Sequence, residues 1–390
     1  MRIVQNSNNI IRVLKSIWVK PGISRIEISK LLGLDKSTVT IVVNRLLELC
    51  FIEEIASTLT PYIGGRRPVG LALKEKIGVI LGFEIQTNCY HAVIIDLNGN
   101  MIKSFTGEIH GKNDIITTFI EIYRQAYKEL ELLELPLLGI GIAFSGLINP
   151  YEGRIIDSNP LGVHTELDFY NEIKAFIQVP VFIENDANCG CWAELNIKHQ
   201  ERPQNFLFVL GEFRKARLFE DDSRVVAVGI GIVIGERVHY GRNFSAGEYK
   251  SPNWIAPNKT QFSISDKELA GMSSDREIIE NIKGELIKDI AYLTNMLDLS
   301  RVTFGGDIVS YFDLIESGLK KEIKNNASYD KQNEVEFTIS GYREYTVSYG
   351  AASMLIEHLF LTYENPSENP WKQKVGIDLF NSFSDSHQKY

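Results

Sequence analysis

Residues 77–98 and 206–234 open in the same way, and that repetition constrains the fold more than any other feature. Ile77–Glu84 is an apolar run of the buried-strand type. His91–Asp96 is a second strand that ends in the turn Leu97-Asn98-Gly99-Asn100. A helical stretch, Ile115–Leu133, and the strand Leu137–Ala143 follow. Strand-like runs return at Val181–Ile183, Phe206–Leu210, Val225–Ile234 and Val302–Phe304. Strands alternating with helices predict an α/β body. Two hairpin-then-helix openings, near 77 and near 206, predict two similar lobes. The polar loops at the strand ends then converge in a cleft between them, where small ligands bind.

The 390 residues suffice for two or three domains, and 44% hydrophobic with 10% aromatic residues supports a large core. No apolar run reaches the roughly 18 residues of a membrane span, and the first residues show no signal-peptide core, so a cytoplasmic protein is expected. Cys189-x-Cys191 is too tight for an ordinary disulfide and has no second pair to complete a zinc site, which points to buried reduced thiols. Charge is unevenly spread. Residues 1–74 carry eleven Lys/Arg and five acids, a net +6, which leaves −15 for the rest. A basic head on an acidic body predicts that the head alone meets a polyanion, chance clustering of solvated charges being the competing reading.

The head reads as three helices and a hairpin. Asn9–Val19 has apolar residues at helical spacing and ends at Pro21-Gly22. Ser24-Arg25-Ile26-Glu27 is a capping box opening a helix that stops at Gly33. Asp35 is the expected N-cap of a third helix, Lys36–Glu48, which buries Val39, Val42, Leu46 and Leu47. This is a helix-turn-helix. Its exposed Lys36, Ser37, Thr38, Thr40, Asn44 and Arg45, with Arg25 from the preceding helix, suit base edges and phosphates in a major groove. Phe51–Glu54 and Val69–Leu73 pair as a hairpin around Tyr62-Ile63-Gly64-Gly65-Arg66-Arg67-Pro68. That is a wing: Gly65 lets backbone approach closely, and Arg66 and Arg67 enter a narrow minor groove.

In the body, Ile183-Glu184-Asn185-Asp186-Ala187-Asn188 puts carboxylates and amides just past a strand end. Such groups grip a polyol, and an aspartate there is also able to take a proton from a hydroxyl.

From Gly139-Ile140-Gly141-Ile142-Ala143-Phe144-Ser145-Gly146-Leu147-Ile148-Asn149-Pro150 onward the pattern resembles the ROK family of sugar-responsive repressors and sugar kinases. Ser158-Asn159-Pro160-Leu161-Gly162, Val179–Asn188, Gly229-Ile230-Gly231-Ile232, Ala246-Gly247-Glu248, Phe304-Gly305-Gly306-Asp307 and Gly350-Ala351-Ala352 continue it in order. The resemblance implies a winged helix-turn-helix followed by a two-lobed actin/hexokinase-like (ribonuclease H-like) ATPase-type body. The implied division is 1–74 for the head, 75–190 for the first lobe, completed by a C-terminal helix at 355–390, and 191–354 for the second lobe. The winged head is that of the repressor branch. The resemblance also implies sugar contacts from Ser145, Gly146, Asn159, Asn185, Asp186 and Glu248; an ordinary loop cap or turn residue competes with each, most strongly for Asn159.

In the family's kinases the aspartate matching Asp186 deprotonates the sugar hydroxyl that attacks ATP, which serves only if the γ-phosphate is held in line. Kinase members open the body with Asp-x-Gly-Gly-Thr; this chain has Glu84-Ile85-Gln86-Thr87-Asn88. The second phosphate turn falls at Val225-Val226-Ala227, without a hydroxyl. Both losses predict that the chain is not an enzyme, has no catalytic residue and needs no cofactor. The family's structural zinc uses a His three residues after the position of Glu248 and a later Cys cluster. Here that position is Ser251 and no Cys follows Cys191, so no metal is expected. The lost His also contacts sugar in relatives. Gly211–Arg224 reads as a charged hairpin insertion. The expected function is a sugar-sensing repressor of carbohydrate genes whose partners are double-stranded operator DNA, a sugar effector and a second copy, as a homodimer or dimer of dimers, with no membrane. A sugar kinase with a DNA-binding head, and a regulator that has lost its sugar, are the alternatives.

Overall fold

The computed structural model describes residues 2–56, 69–110, 114–197, 202–215, 224–329, 335–360 and 378–382. In the head, α1 (Arg2–Val19), β1 (Ile23–Ser24), α2 (Arg25–Leu32), α3 (Lys36–Glu48), β2 (Ile52–Ala56) and β3 (Val69–Leu73) follow one another. Helix α1 starts earlier than the apolar spacing suggests: the polar run before Ile10 contains no Gly or Pro to break it. The capping box at α2 is formed, with the Glu27 N–H donating to Ser24 Oγ (3.3 Å) and the Ser24 N–H to Glu27 Oε2 (2.9 Å). Gly33, at φ 63°, closes that helix in the left-handed region. Asp35 stands at the N-cap of α3 but makes no capping hydrogen bond, so only its charge favours the helix start. The buried stripe of α3 is Val39, Val42, Val43 and Leu46; Leu47 lies at its half-buried edge, as 100° per residue requires. The strands pair antiparallel in the order β1-β3-β2.

The first lobe runs β4 (Val79–Ile85), β5 (Cys89–Asp96), β6 (Met101–Glu108), α4 (Ile115–Glu131), β7 (Leu137–Phe144), β8 (Leu147–Asn149), β9 (Arg154–Asp157), α5 (Phe169–Ile173), β10 (Val181–Asn185) and α6 (Asp186–Ile197). The second runs β11 (Phe206–Lys215), β12 (Arg224–Ile234), β13 (Arg237–Val238), α7 (Asp266–Ala270), α8 (Asp275–Met296), β14 (Arg301–Gly305), α9 (Phe312–Asn325) and β15 (Glu336–Ile339); α10 (Thr346–Phe360) then returns. The first sheet has the order β6-β5-β4-β7-β10 and the second β13-β12-β11-β14-β15. In each, three antiparallel strands are followed by two parallel ones. The body is therefore a two-lobed actin/hexokinase-like fold with the same strand order twice.

Helices α6 and α10 are buried on nearly every side, as helices sandwiched in a core must be. Their close crossing depends on glycine: a Cβ on Gly350 would lie 1.7 Å from the Cys189 carbonyl oxygen. The helix that packs on the first sheet is α10 at Thr346–Phe360, which begins before the expected 355; residues 361–377 and 383–390 lie outside the described residues. Head and first lobe share one continuous apolar cluster. Trp18 of α1 stacks on Phe360 of α10 (4.5 Å between centroids), and Phe51 meets Phe380 (4.8 Å). The expected insertion is a continuation of the β11–β12 hairpin, paired out to Lys215 and Arg224. Its tip, 216–223, lies outside the described residues. No helix among those described is long and apolar enough to cross a membrane.

Candidate functional site

The strand β10 runs into α6 without a loop, so Asn185 and Asp186 stand at the start of a helix that packs against β11 and β12 of the second lobe. The Asp186 carboxylate accepts from Ser145 Oγ (2.5 Å) and from the Ala187 N–H (2.8 Å). A helix N-terminus favours that negative charge. Asn185 holds the site together: its Nδ2 donates to the Gly146 carbonyl (3.0 Å) and its Oδ1 accepts from the Asn188 N–H (3.2 Å). Gly146 has φ 118°, and a Cβ there would lie 2.4 Å from the Asp157 carbonyl, so the turn that presents Ser145 needs glycine. Ser158 Oγ donates to the Ser145 carbonyl (2.6 Å) and ties the Asn159 loop to the same turn; Asn159 itself is exposed. From the second lobe, Glu248 pairs through its backbone with Gly229, where a Cβ would lie 3.9 Å from Asp186 Oδ1. Desolvation by the cleft walls, and then the charge of Asp186, push the Glu248 carboxyl up to about 7, although much of the side chain faces solvent. Ser145, Gly146, Asn185, Asp186 and Glu248 are thus brought together, with Asn159 on the rim.

Beneath them lies Glu184, which the sequence reading quoted within its motif without assigning it a contact. Its carboxylate is fully buried and accepts from the Asn185 N–H (2.8 Å), Asn188 Nδ2 (3.2 Å), Trp192 Nε1 (3.3 Å) and Tyr240 OH (2.7 Å). Burial raises its pKa, and these four donors oppose the rise. Tyr240 comes from the second lobe, so Glu184 joins the lobes under the site.

The other half of the cleft is closed upon itself. Gln86 Nε2 donates to Glu84 Oε1 (2.8 Å) and to Glu212 Oε1 (2.9 Å), one carboxylate from each lobe. Both glutamates are buried. Burial first, and then the charge of Glu212, drive the Glu84 carboxyl well above its ordinary value. Glu84-Ile85-Gln86-Thr87-Asn88 is the stretch that the sequence reading sets against the kinases' Asp-x-Gly-Gly-Thr turn.

The zinc implied by the resemblance has no fitting ligands. Ser251, at the first ligand position, is buried and donates its hydroxyl to Glu285 of α8. Among the described residues no group of three His, Cys, Asp or Glu side chains is placed to hold a metal ion.

On the head, Lys36, Ser37, Thr40, Asn44 and Arg45 are exposed along α3 and Thr38 is half-buried. Thr40 Oγ1 donates back to the Lys36 carbonyl (2.8 Å), and Arg45 lies 3.7 Å from Glu48. Arg25 pairs with Glu54 of the hairpin (2.9 Å). Gly65, Arg66 and Arg67 lie outside the described residues. Ile41 was missed: it is 66% exposed, in the middle of the face formed by Ser37, Thr40, Asn44 and Arg45. The helical period already placed it there, between positions 37 and 44.

Residues 82–212 match the ROK family profile. The chain is 23% identical over 378 residues to the xylose repressor of Bacillus subtilis, covering 89% of this chain and 94% of the repressor. Among solved structures it is similar to a ROK family transcriptional regulator described as a homologue of the E. coli MLC protein, with a TM-score of 0.73 at 18% identity, covering 98% of this chain and 100% of that one. A ROK family glucokinase from Streptomyces griseus, solved with glucose and AMPPNP, matches 71% of this chain and 99% of its own, with a TM-score of 0.54 at 14% identity. The regulator's match takes in the head as well as the body, whereas the ROK profile matches within the body alone.

Proposed function

We propose that the chain is a DNA-binding transcriptional repressor of carbohydrate genes that answers to a sugar held between the lobes and transfers no phosphoryl group. The observation that carries this reading is the asymmetry of the cleft. Asp186 and Glu248 face a site for hydroxyls, while Gln86 locks Glu84 to Glu212 where phosphates would lie. Since curated relatives are named xylose repressors, xylose or a related pentose is the effector to try first. Its hydroxyls donate to Asp186 and Glu248, and Ser145, Gly146, Asn159 and Asn185 shape the pocket. The α3 face and the wing residues Gly65, Arg66 and Arg67 meet the operator, where Ile41 offers an apolar surface of the kind that meets a thymine methyl. Because Trp18 and Phe51 fuse the head to the first lobe, closing the lobes moves the second lobe against a head-bearing first one. In a homodimer, or a dimer of dimers, that changes the spacing of two recognition helices. Operator release follows only if the sugar binds the two arrangements unequally. The protein acts in the cytoplasm, where its operator is.

The test measures operator binding by fluorescence anisotropy across a salt series. Arg66→Ala with Arg67→Ala weakens binding and flattens the log–log salt slope by about two; an unchanged titration removes the wing from the interface. In the same assay xylose releases the wild-type protein. A coupled ATP assay over a sugar panel shows no turnover; turnover abolished by Asp186→Asn would make the chain a kinase. One observation favours a second reading. The Ser251 hydroxyl is committed to Glu285 rather than turned to a sugar, as a regulator without a sugar ligand would allow. Thermal stabilisation by no sugar at all would select it.

A further inference from the structure

The segment after Glu248 leaves the second lobe's sheet, loops over 250–264 and returns to α7, with no regular element of its own. Long loops of this kind drift unless something ties them down. Here the tie is a side-chain clamp. Glu285, midway along α8, accepts the hydroxyls of both Ser251 and Ser263 and also the Ser263 N–H (3.2 Å). One turn further on, Asp289 accepts the Tyr249 hydroxyl (2.8 Å). Gln261 completes the clamp on the sheet side. Its Oε1 accepts from the Val228 N–H (2.7 Å), and its Nε2 donates to the carbonyls of Val228 (2.8 Å) and Tyr249 (2.8 Å). Val228 is next to Gly229, the backbone partner of Glu248. An unbroken set of contacts therefore runs from α8 through the loop to Glu248, an acidic side chain of the second lobe that feels the charge of Asp186.

We propose that Glu285 is a positioning residue for effector recognition: by holding Ser251 and Ser263 it fixes the loop that presents Glu248 to the sugar, and it does so in the place of a metal cross-link. This rests on the sugar-sensing reading above and adds to it. A carboxylate suits the task because its two oxygens accept from both serines, whereas an amide offers one acceptor oxygen and an alkyl group none. Glu285 faces the loop and not the cleft, so its effect on the sugar is indirect.

The experiment uses the full chain, with Glu285→Ala and the milder Ser263→Ala. Operator affinity and the xylose concentration that half-releases the operator are measured, together with hydrogen exchange of segment 245–263 without sugar. Glu285→Ala is expected to leave operator affinity within about twofold, to raise the xylose midpoint roughly tenfold or more, and to speed exchange in that segment. Ser263→Ala moves both readouts the same way by less. Adding Ser251→Ala to Glu285→Ala changes little further, because the two act through one contact. An unchanged midpoint with unchanged exchange overturns the proposal, as does a midpoint shift in Glu285→Ala that Ser251→Ala enlarges in full. If the wild-type protein ignores xylose and other sugars, the sugar-sensing reading is what fails; exchange in the variants still decides whether Glu285 holds the loop. EDTA treatment leaves all readouts of the wild-type protein unchanged; a shift on chelation would return the loop to a metal.

Discussion

The two halves of the cleft are built from the same materials and differ in where their polar groups are spent. On one side, Asp186 and Asn185 are held by Ser145, Gly146 and Asn188, and the exposed Glu248 pairs through its backbone with Gly229. On the other side, Glu84 and Glu212 are tied to each other through Gln86. Positioned acids that face a cavity bind hydroxyl donors, whereas acids that face each other across two lobes cross-link the lobes. The comparison teaches that similar acidic groups serve either as locally held acceptors or as a cross-link between the lobes, according to what stands opposite them.

The sharpest way to break the comparison is at Asp186. Asp186→Ala raises the xylose midpoint by roughly a hundredfold while operator affinity stays the same, since a charged acceptor for the effector is lost far from α3. A variant that still releases the operator at the wild-type midpoint moves the pocket elsewhere. Next in size is the bridge. Gln86→Ala leaves two buried carboxylates facing each other and lowers stability by about 1–3 kcal/mol in denaturant titration. The companion change, Glu84→Gln, sharpens the contrast through pH. The Glu84 pKa is raised on folding, so below the usual carboxylate value both folded and unfolded chains hold the proton. Above it only the folded chain does, and stability falls as pH rises toward the folded value. Glu84→Gln keeps the shape and the donor to Glu212 without that penalty. Its melting temperature at pH 8 is therefore equal to or above that of the wild type, and the gap narrows toward pH 4.5; a lower melting temperature at pH 8 would remove the neutral-acid account of the bridge. The smallest effect belongs to Glu248. With its carboxyl near 7, the acceptor is lost as pH falls through neutrality, and the xylose midpoint rises by a few-fold between pH 8 and pH 6. Glu248→Gln flattens that dependence; a wild-type midpoint that is flat over the same range removes Glu248 from the pocket.

The two halves were not equally legible beforehand. Asp186 and Asn185 could be read because they follow directly on an apolar strand, and Glu248 because it lies in a motif. Gln86 was visible only as the residue standing where a glycine was expected. That it reaches Glu212, 126 positions away, could not be seen, since nothing local links one hairpin to the other. Glu285 was invisible for the same reason: on α8 it reads as one more charge on a solvated helix. Arg25, read as a DNA contact from its place in the head, is paired with Glu54, a partner that only the folded hairpin supplies.

What the residues determine unaided is what depends on local period and local chemistry. The capping box at Ser24, the left-handed stop at Gly33, the alternation of strands and helices and the twofold opening of the body are all of that kind, because a turn, a cap or a strand is decided within a few residues. Tertiary structure alone decided that α10 and α6 cross at Gly350, that Trp18 and Phe51 fuse the head to the first lobe, and that Gln86 bridges Glu84 and Glu212. Those outcomes come from burial and charge pairing between distant segments, whose energies exist only once the chain has brought the segments together.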